Sequence, residues 1–287
     1  PARGRLYAIT WPDLIFMYYD IASKKIQSFG TGVSAPGVKD LVNAIGPRSL
    51  GLDPRTGMLF WDNPDNTVRC FDPAKDAIVP LEKPKLDRGI LAFEAPAARG
   101  TFWRAIRWND AAKRFYGVTY KGEYLFSYDP PSGELEFIDR IAAGPNRRSG
   151  GIGHPNMSFE LSPDGSTAYY ITGEEIAAEN GLESYYDIKE KLHLVTYDIP
   201  ARRYTDHGLI RLGDGRVPSY CQGLEIGGDG SLYIVAWVPL AEYTSPKAKT
   251  IIANRFKDVP VNEYPFRVTE LNLIVMKDPL PGARAGV

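Results

Sequence analysis

Short apolar runs separated by turn residues recur along the whole chain, and inside each run apolar and polar positions alternate. A period of two marks strands rather than helices. The runs also repeat. An aromatic or apolar strand is followed by a second one ending in aromatic-x-Asp or aromatic-Asp-Pro, in LYAITW…FMYYD, MLFWD…VRCFDP, FYGVTY…LFSYDP, AYYIT…LVTYD and LYIVAWV…LIVMKD. The corresponding positions Tyr7, Leu59, Tyr116, Tyr169 and Leu232 lie 52, 57, 53 and 63 residues apart. A full unit supplies four strands, named a to d in chain order. In the third unit these are 102–108, 114–120, 123–129 and 134–140.

The punctuation agrees with that reading. LDPRTG, NDAAK, SPDG and GGDG separate a from b, while DIASKK, DPAKD, DPPSG and DIPARR separate c from d. Asp, Asn, Pro and Gly supply the φ values and side-chain-to-backbone bonds that tight turns need. A period near 50 with four strands per unit is the signature of propeller blades. The expected fold is therefore all-β, a single β-propeller domain over 1–287 built from four-stranded antiparallel blades. The first unit lacks an evident strand a and the last an evident d, giving 3, 4, 4, 4 and 3 strands in five visible units. An open arc would leave sheet edges exposed. Closure by irregular segments, or by blades N-terminal to Pro1, keeps five to seven blades open. Two insertions break the rhythm between b and c, at 173–191 in the fourth unit and 239–266 in the fifth. The first reads as a short surface helix, and 241–256 reads as helical in the second.

Composition narrows the classes. Of 287 residues, 34 are Lys or Arg and 35 Asp or Glu, a formal net charge of −1, which argues against a chain built to coat nucleic acid or an anionic membrane. No run of 18 apolar residues spans a membrane. Cys70 and Cys221 provide no disulfide framework and are expected to be buried free thiols. The chain opens on Pro1 without a signal peptide's apolar core, as expected of a processed mature form or a fragment.

In a four-stranded blade the a–b and c–d turns lie on one face, and the b–c loops and d-to-a crossings on the other. Every a–b and c–d turn here is short. The long segments are the crossings 30–48, 82–101 and 141–156 and the two insertions, so all elaboration falls on one face. Long loops on a rigid scaffold are where binding and catalysis concentrate. Strand a is innermost, so its first residues ring the channel mouth: Arg48 and Ser49, Arg104 and Arg107, His154, Asn156 and Ser158, and Tyr220, Gln222 and Glu225. Trp11, Asp62, Tyr120 and Lys121 join them from the starts of the b–c loops. Arg forks a carboxylate and aromatic faces stack on sugar rings, so this ring suits a polar, anionic or carbohydrate ligand. His154, in GGIGHPNMS directly before strand a, is a candidate general base or metal ligand. His193 and His207 lie in strands c and d and read as structural. Asp13, Asp62 and Glu225 are candidates for an acid/base pair. No HExxH or HxH spacing, EF-hand series, GxSxG elbow, Walker A or dinucleotide fingerprint occurs, so no metal or cofactor is expected, and an axial Ca²⁺ lacks support.

The run GVTY–LFSYDP–SGELEFID, followed by ELSPDGSTAYYIT, resembles the wide superfamily of bacterial secreted propellers. That group includes lactonase-like and YVTN-type propellers, virginiamycin B lyase and the propeller polysaccharide lyases. The resemblance covers about residues 4 to 278, and its motifs mark blades rather than chemistry. It implies a periplasmic or extracellular protein. Propeller lyases remove a proton beside a uronate carboxylate, with His or Tyr as base while Arg or a metal neutralises the acid. On that chemistry the resemblance makes His154, Tyr220 and Tyr120 candidate catalytic residues and Arg104 the candidate anion-binding one, without a motif that transfers residue by residue. Arg107, Asn156, Gln222, Arg48 and Lys121 are candidate ligand-binding residues from their places on the ring. The metal-binding histidine cluster of oligogalacturonate lyases is not matched. Two functions follow as expectations: a non-catalytic binding module or subunit for a glycan, small molecule or protein partner, and a uronate lyase acting by β-elimination.

Overall fold

The computed structural model describes residues 4–10, 15–31, 49–62, 68–81, 102–120, 124–144, 158–173, 192–261 and 268–277. These form five antiparallel blades of three or four strands arranged as a β-propeller. Blade 1 holds β1 (Arg5–Ile9), β2 (Ile15–Asp20) and β3 (Lys25–Thr31); blade 2 holds β4 (Gly51–Leu52), β5 (Leu59–Asp62), β6 (Val68–Asp72) and β7 (Ala77–Val79). Blade 3 holds β8 (Phe102–Asn109), β9 (Arg114–Tyr120), β10 (Tyr124–Asp129) and β11 (Glu134–Arg140). Blade 4 holds β12 (Phe159–Leu161), β13 (Thr167–Gly173), β14 (Leu192–Asp198) and β15 (Arg203–Leu209). Blade 5 holds β16 (Tyr220–Ile226), β17 (Leu232–Pro239) and β18 (Thr269–Met276). The strands run 3, 4, 4, 4 and 3 by blade, with a absent from the first and d from the last among the described residues, as the repeat pattern predicts.

The short turns follow the predicted chemistry. Asp20, Asp72, Asn109, Asp164, Asp198 and Asp229 each accept a backbone N–H two or three residues ahead, at 2.8 to 3.0 Å. Several of these turns end in a left-handed residue, as at Asp76, Lys113, Arg202 and Gly230.

The chain divides into two compact units, Pro1–Arg140 and Ile141–Val287. In the first, successive side chains of β5 serve two seams. Leu59 and Trp61 pack with Phe16, Tyr18 and Phe71 between blades 1 and 2, and Trp61 stacks on Phe16 with ring centroids 4.7 Å apart. Phe60 joins Val68, Cys70, Trp103, Ile106, Phe115, Phe126 and Tyr128 between blades 2 and 3. Burying each such side chain contributes about 1.5–3 kcal/mol, so the seams are the core. The short-turn ends are tied by charge. Arg5 bonds Asp76 at 2.8 Å and lies 4.0 Å over the Tyr18 ring, and Arg55 bonds Asp53 and lies 4.6 Å over Trp108.

In the second unit, Ile171, Leu194, Leu224, Ile234 and Ala236 fill the seam between blades 4 and 5. Asp206 on β15 clasps the chain entering blade 4. Its carboxylate accepts from His193 Nδ1 and Gly208 N–H, each at 2.8 Å, and from Gly144 N–H at 3.1 Å. Burial pulls this carboxyl upward, but the bonds from His193, Gly208 and Gly144 outweigh it and hold it below the usual range. Its stabilisation is present above pH ~3.8 and is lost as pH falls through its depressed titration. Asp206→Ala strips three donors at once, one on the buried His193. Urea unfolding should show a loss of about 2–3 kcal/mol, against less than about 1 kcal/mol for an exposed residue such as Asp258→Ala.

The fifth-blade insertion carries helix α1 (Pro246–Arg255), the single helix among the described residues. Ser245 caps it by accepting from Ala248 N–H at 3.2 Å, and Pro246 opens it. It packs through Ala248, Ile251 and Ile252 on Leu240 and Val268. Residues 174–191 lie outside the described residues, so the first insertion is not characterised.

Candidate functional site

The first strands of neighbouring blades approach one another, β4 with β8 and β12 with β16, as inner strands of a propeller do. Two of these inner strands are interrupted. Between β8 and β9 the register steps from Trp103↔Thr119 to Ala105↔Val118, making Arg104 the extra residue of a β-bulge. Between β16 and β17 it steps from Cys221↔Ala236 to Gly223↔Val235, making Gln222 the extra residue. A bulge re-aims the side chain of its extra residue, and bulges concentrate beside functional sites. Both positions were singled out from sequence as ligand-binding. Arg104 is 4% exposed. Arg107 is half-buried, and its guanidinium donates to the Ile106 carbonyl at 3.1 Å. Tyr220 is half-buried at the start of β16, opposite Trp237.

Near the loop-rich ends of the b strands, blades 1, 3 and 4 carry Thr where blade 2 carries Asp. Three residues beyond Tyr7, Leu59, Tyr116 and Tyr169 stand Thr10, Asp62, Thr119 and Thr172 in blades 1 to 4; in blade 5 the register sets Ala236 opposite Cys221 as it sets Thr119 opposite Trp103. Thr10 and Thr119 use the hydroxyl to accept from the backbone N–H five residues on, at Ile15 and Tyr124, each at 2.9 Å. These staples close the b–c loops. Asp62 is fully buried, and neither carboxyl oxygen has a hydrogen-bond partner of normal geometry among the described residues. Burial pushes its titration up to about 8, only partly opposed by the nearby backbone N–H groups of Trp103 and of Asp62 itself. It shares a strand face with Phe60, so it sits at the loop-rich end of the seam between blades 2 and 3, beside Trp103. The indole N–H groups of Trp61 and Trp103 are likewise buried without a partner among the described residues.

The remaining candidates divide cleanly. His154, Asn156, Arg48, Lys121, Trp11 and Asp13 lie outside the described residues, as does the Tyr120 side chain, although its backbone ends β9. Ser158 is structural, its hydroxyl donating to Ile171 O and accepting from Ile171 N–H. His193 is bound to Asp206. His207 Nε2 lies 2.8 Å from the Thr196 hydroxyl, and burial holds its pKa below the ordinary value. Cys70 and Cys221 are free and buried, and burial pushes their thiols up to about 12 and about 11. Both stay protonated at neutral pH and are unsuited to nucleophilic or thiolate-ligand roles. No cluster of three or more His, Cys, Asp or Glu suited to a metal occurs among the described residues, and none of their helices is long and apolar enough to cross a membrane.

No protein-family model matches the chain, and no curated protein does. Solved structures do resemble it at low identity. A hydrazine synthase of Kuenenia stuttgartiensis is 12% identical with a TM-score of 0.49 over 83% of this chain and 57% of its own. TolB from Acinetobacter baumannii is 9% identical, with a TM-score of 0.42 over 82% of this chain and 48% of its own. The β-propeller domain of Cps50 (Swd1) from Myceliophteria thermophila is 11% identical, with a TM-score of 0.46 over 85% of this chain and 67% of its own. The chain thus spans about half the length of the first two.

Proposed function

We propose that the protein is an exported β-propeller whose loop-rich face binds a polar or carbohydrate ligand, as a binding module or subunit rather than a catalyst. The observation that carries the reading is the pair of inner-strand bulges at Arg104 and Gln222. Each interrupts the ladder of an inner strand, and a bulge re-aims the side chain of its extra residue. A guanidinium at such a place can hold a carboxylate in a fixed plane. Structural bonding of His193 and His207, and thiols held protonated, support binding over catalysis. Uronate oligosaccharides are the first ligands to screen, because they combine carboxylates with sugar rings.

Titration calorimetry with trigalacturonate tests the reading. Arg104→Ala should weaken binding by about tenfold to a hundredfold, the worth of a charge-assisted hydrogen bond. His193→Ala and His207→Ala should leave affinity unchanged and alter only stability. Equal affinity in Arg104→Ala and the unmodified protein removes Arg104 from the site. The same mixtures followed in the ultraviolet report on the lyase alternative, since β-elimination creates an unsaturated, absorbing product. If turnover occurs, His154→Ala should slow it by about a hundredfold or more, as expected for a general base.

A further inference from the structure

We infer that Asp62 is a ligand-binding group of the loop-rich face, a carboxyl that takes a pair of hydroxyls from a sugar entering the seam between blades 2 and 3. This rests on the carbohydrate reading above. The repeat supplies a comparison for this position. Near the loop-rich end of strand b, blades 1, 3 and 4 carry Thr, and in blades 1 and 3 the hydroxyl staples the b–c loop. Blade 2 carries Asp, fully buried, with both oxygens unpartnered among the described residues. Thr172 of blade 4 also leaves its buried hydroxyl without a partner among the described residues, but an unbonded buried carboxyl costs several times a typical hydrogen bond, more than a hydroxyl does. Buried groups of this kind concentrate where a ligand completes them.

The ligand chemistry follows from the surroundings. β6 brings Val68 opposite Asp62 with Arg69 next to it, β8 brings Arg104 next to Trp103, and no ion pair to Asp62 occurs among the described residues. Trp103 walls the site. Burial outweighs the backbone N–H groups of Trp103 and of Asp62 itself, so the carboxyl stays largely protonated near neutral pH. A neutral carboxyl offers one O–H donor and one carbonyl acceptor side by side. Two neighbouring sugar hydroxyls present the complementary acceptor and donor. A cationic ligand would instead draw the proton off.

The test uses trigalacturonate and its neutral counterpart galactotriose, titrated into the intact protein between pH 6 and pH 9.5. Asp62→Thr, which installs the sibling residue and should fold, is expected to lose tenfold or more in affinity for both sugars. Asp62→Asn retains a donor and an acceptor, so it should bind at pH 6 within about threefold of the unmodified protein. The unmodified protein should lose affinity as pH rises above about 8, approaching tenfold per pH unit, while Asp62→Asn shows no such decline. A purely structural Asp62 would change melting temperature and leave these affinities alone. Unchanged affinity in Asp62→Thr, with Arg104→Ala still weakening trigalacturonate, overturns this inference and spares the carbohydrate reading. Affinity that climbs with pH overturns it in favour of a cationic ligand. If neither sugar binds the unmodified protein, the inference and the carbohydrate reading fall together.

Discussion

Gly117→Ala should lower stability by about 3 kcal/mol or more, seen as a large drop in the urea midpoint with the slope unchanged. A Cβ at this position would lie 2.3 Å from the Ala105 carbonyl oxygen and 2.9 Å from the Phe126 ring. The ring has no room to turn aside, because it stacks on Trp103 inside the seam core. The carbonyl cannot retreat either, because the bulge at Arg104 sets where Ala105 sits against β9. Gly117 therefore reports on the bulge itself. If alanine were tolerated within 1 kcal/mol, the close approach of β8 would be wrong, and with it the placement of Arg104. Gly51→Ala makes a milder companion, since the atoms nearest its Cβ belong to the Phe115 ring, at 2.8 to 3.2 Å, and not to backbone.

The blades were legible because two independent local signals agree in every unit. Alternation gives each strand, and an Asp or Asn at the head of each turn fixes where it stops, as the bonds from Asp72, Asn109 and Asp198 bear out. The helix in the fifth-blade insertion was legible for a similar reason: Ser245 followed by Pro246 is a cap and a first turn. The bulges were not legible. Arg104 and Gln222 attracted notice as polar residues near the start of inner strands, yet their being the extra residues depends on pairing across the sheet, which leaves no local pattern. Asp62 fell between these cases. It was visible as one of several acids, but its isolation comes from burial by blade 3, more than 40 residues on. Aligning the repeat at Thr10, Asp62, Thr119 and Thr172 was the signal that marks it as the exception.

That exception predicts an inverted pH dependence. For the depressed carboxylate of Asp206, stability is lost as pH falls; for Asp62 the sign reverses. Unfolded, its carboxyl titrates near 3.8, and folded at about 8. Between those values the folded protein holds a proton that the unfolded chain has released. The stability attached to Asp62 is therefore full below pH ~3.8, falls as pH rises through the window, and stays lost above about 8. The slope approaches about 1.4 kcal/mol per pH unit, and about half of that remains if water relaxes around the carboxylate. Asparagine has nearly the same shape and no proton to lose. Subtracting its urea-derived stability from that of the unmodified protein, at each pH from 5 to 8.5, cancels the carboxylates and histidine common to both. The difference should move steadily against the unmodified protein, by about 2 to 4 kcal/mol across the range. Parallel curves would mean that Asp62 is ionised in the folded protein, which requires a cation or several donors at its oxygens and so a different seam between blades 2 and 3.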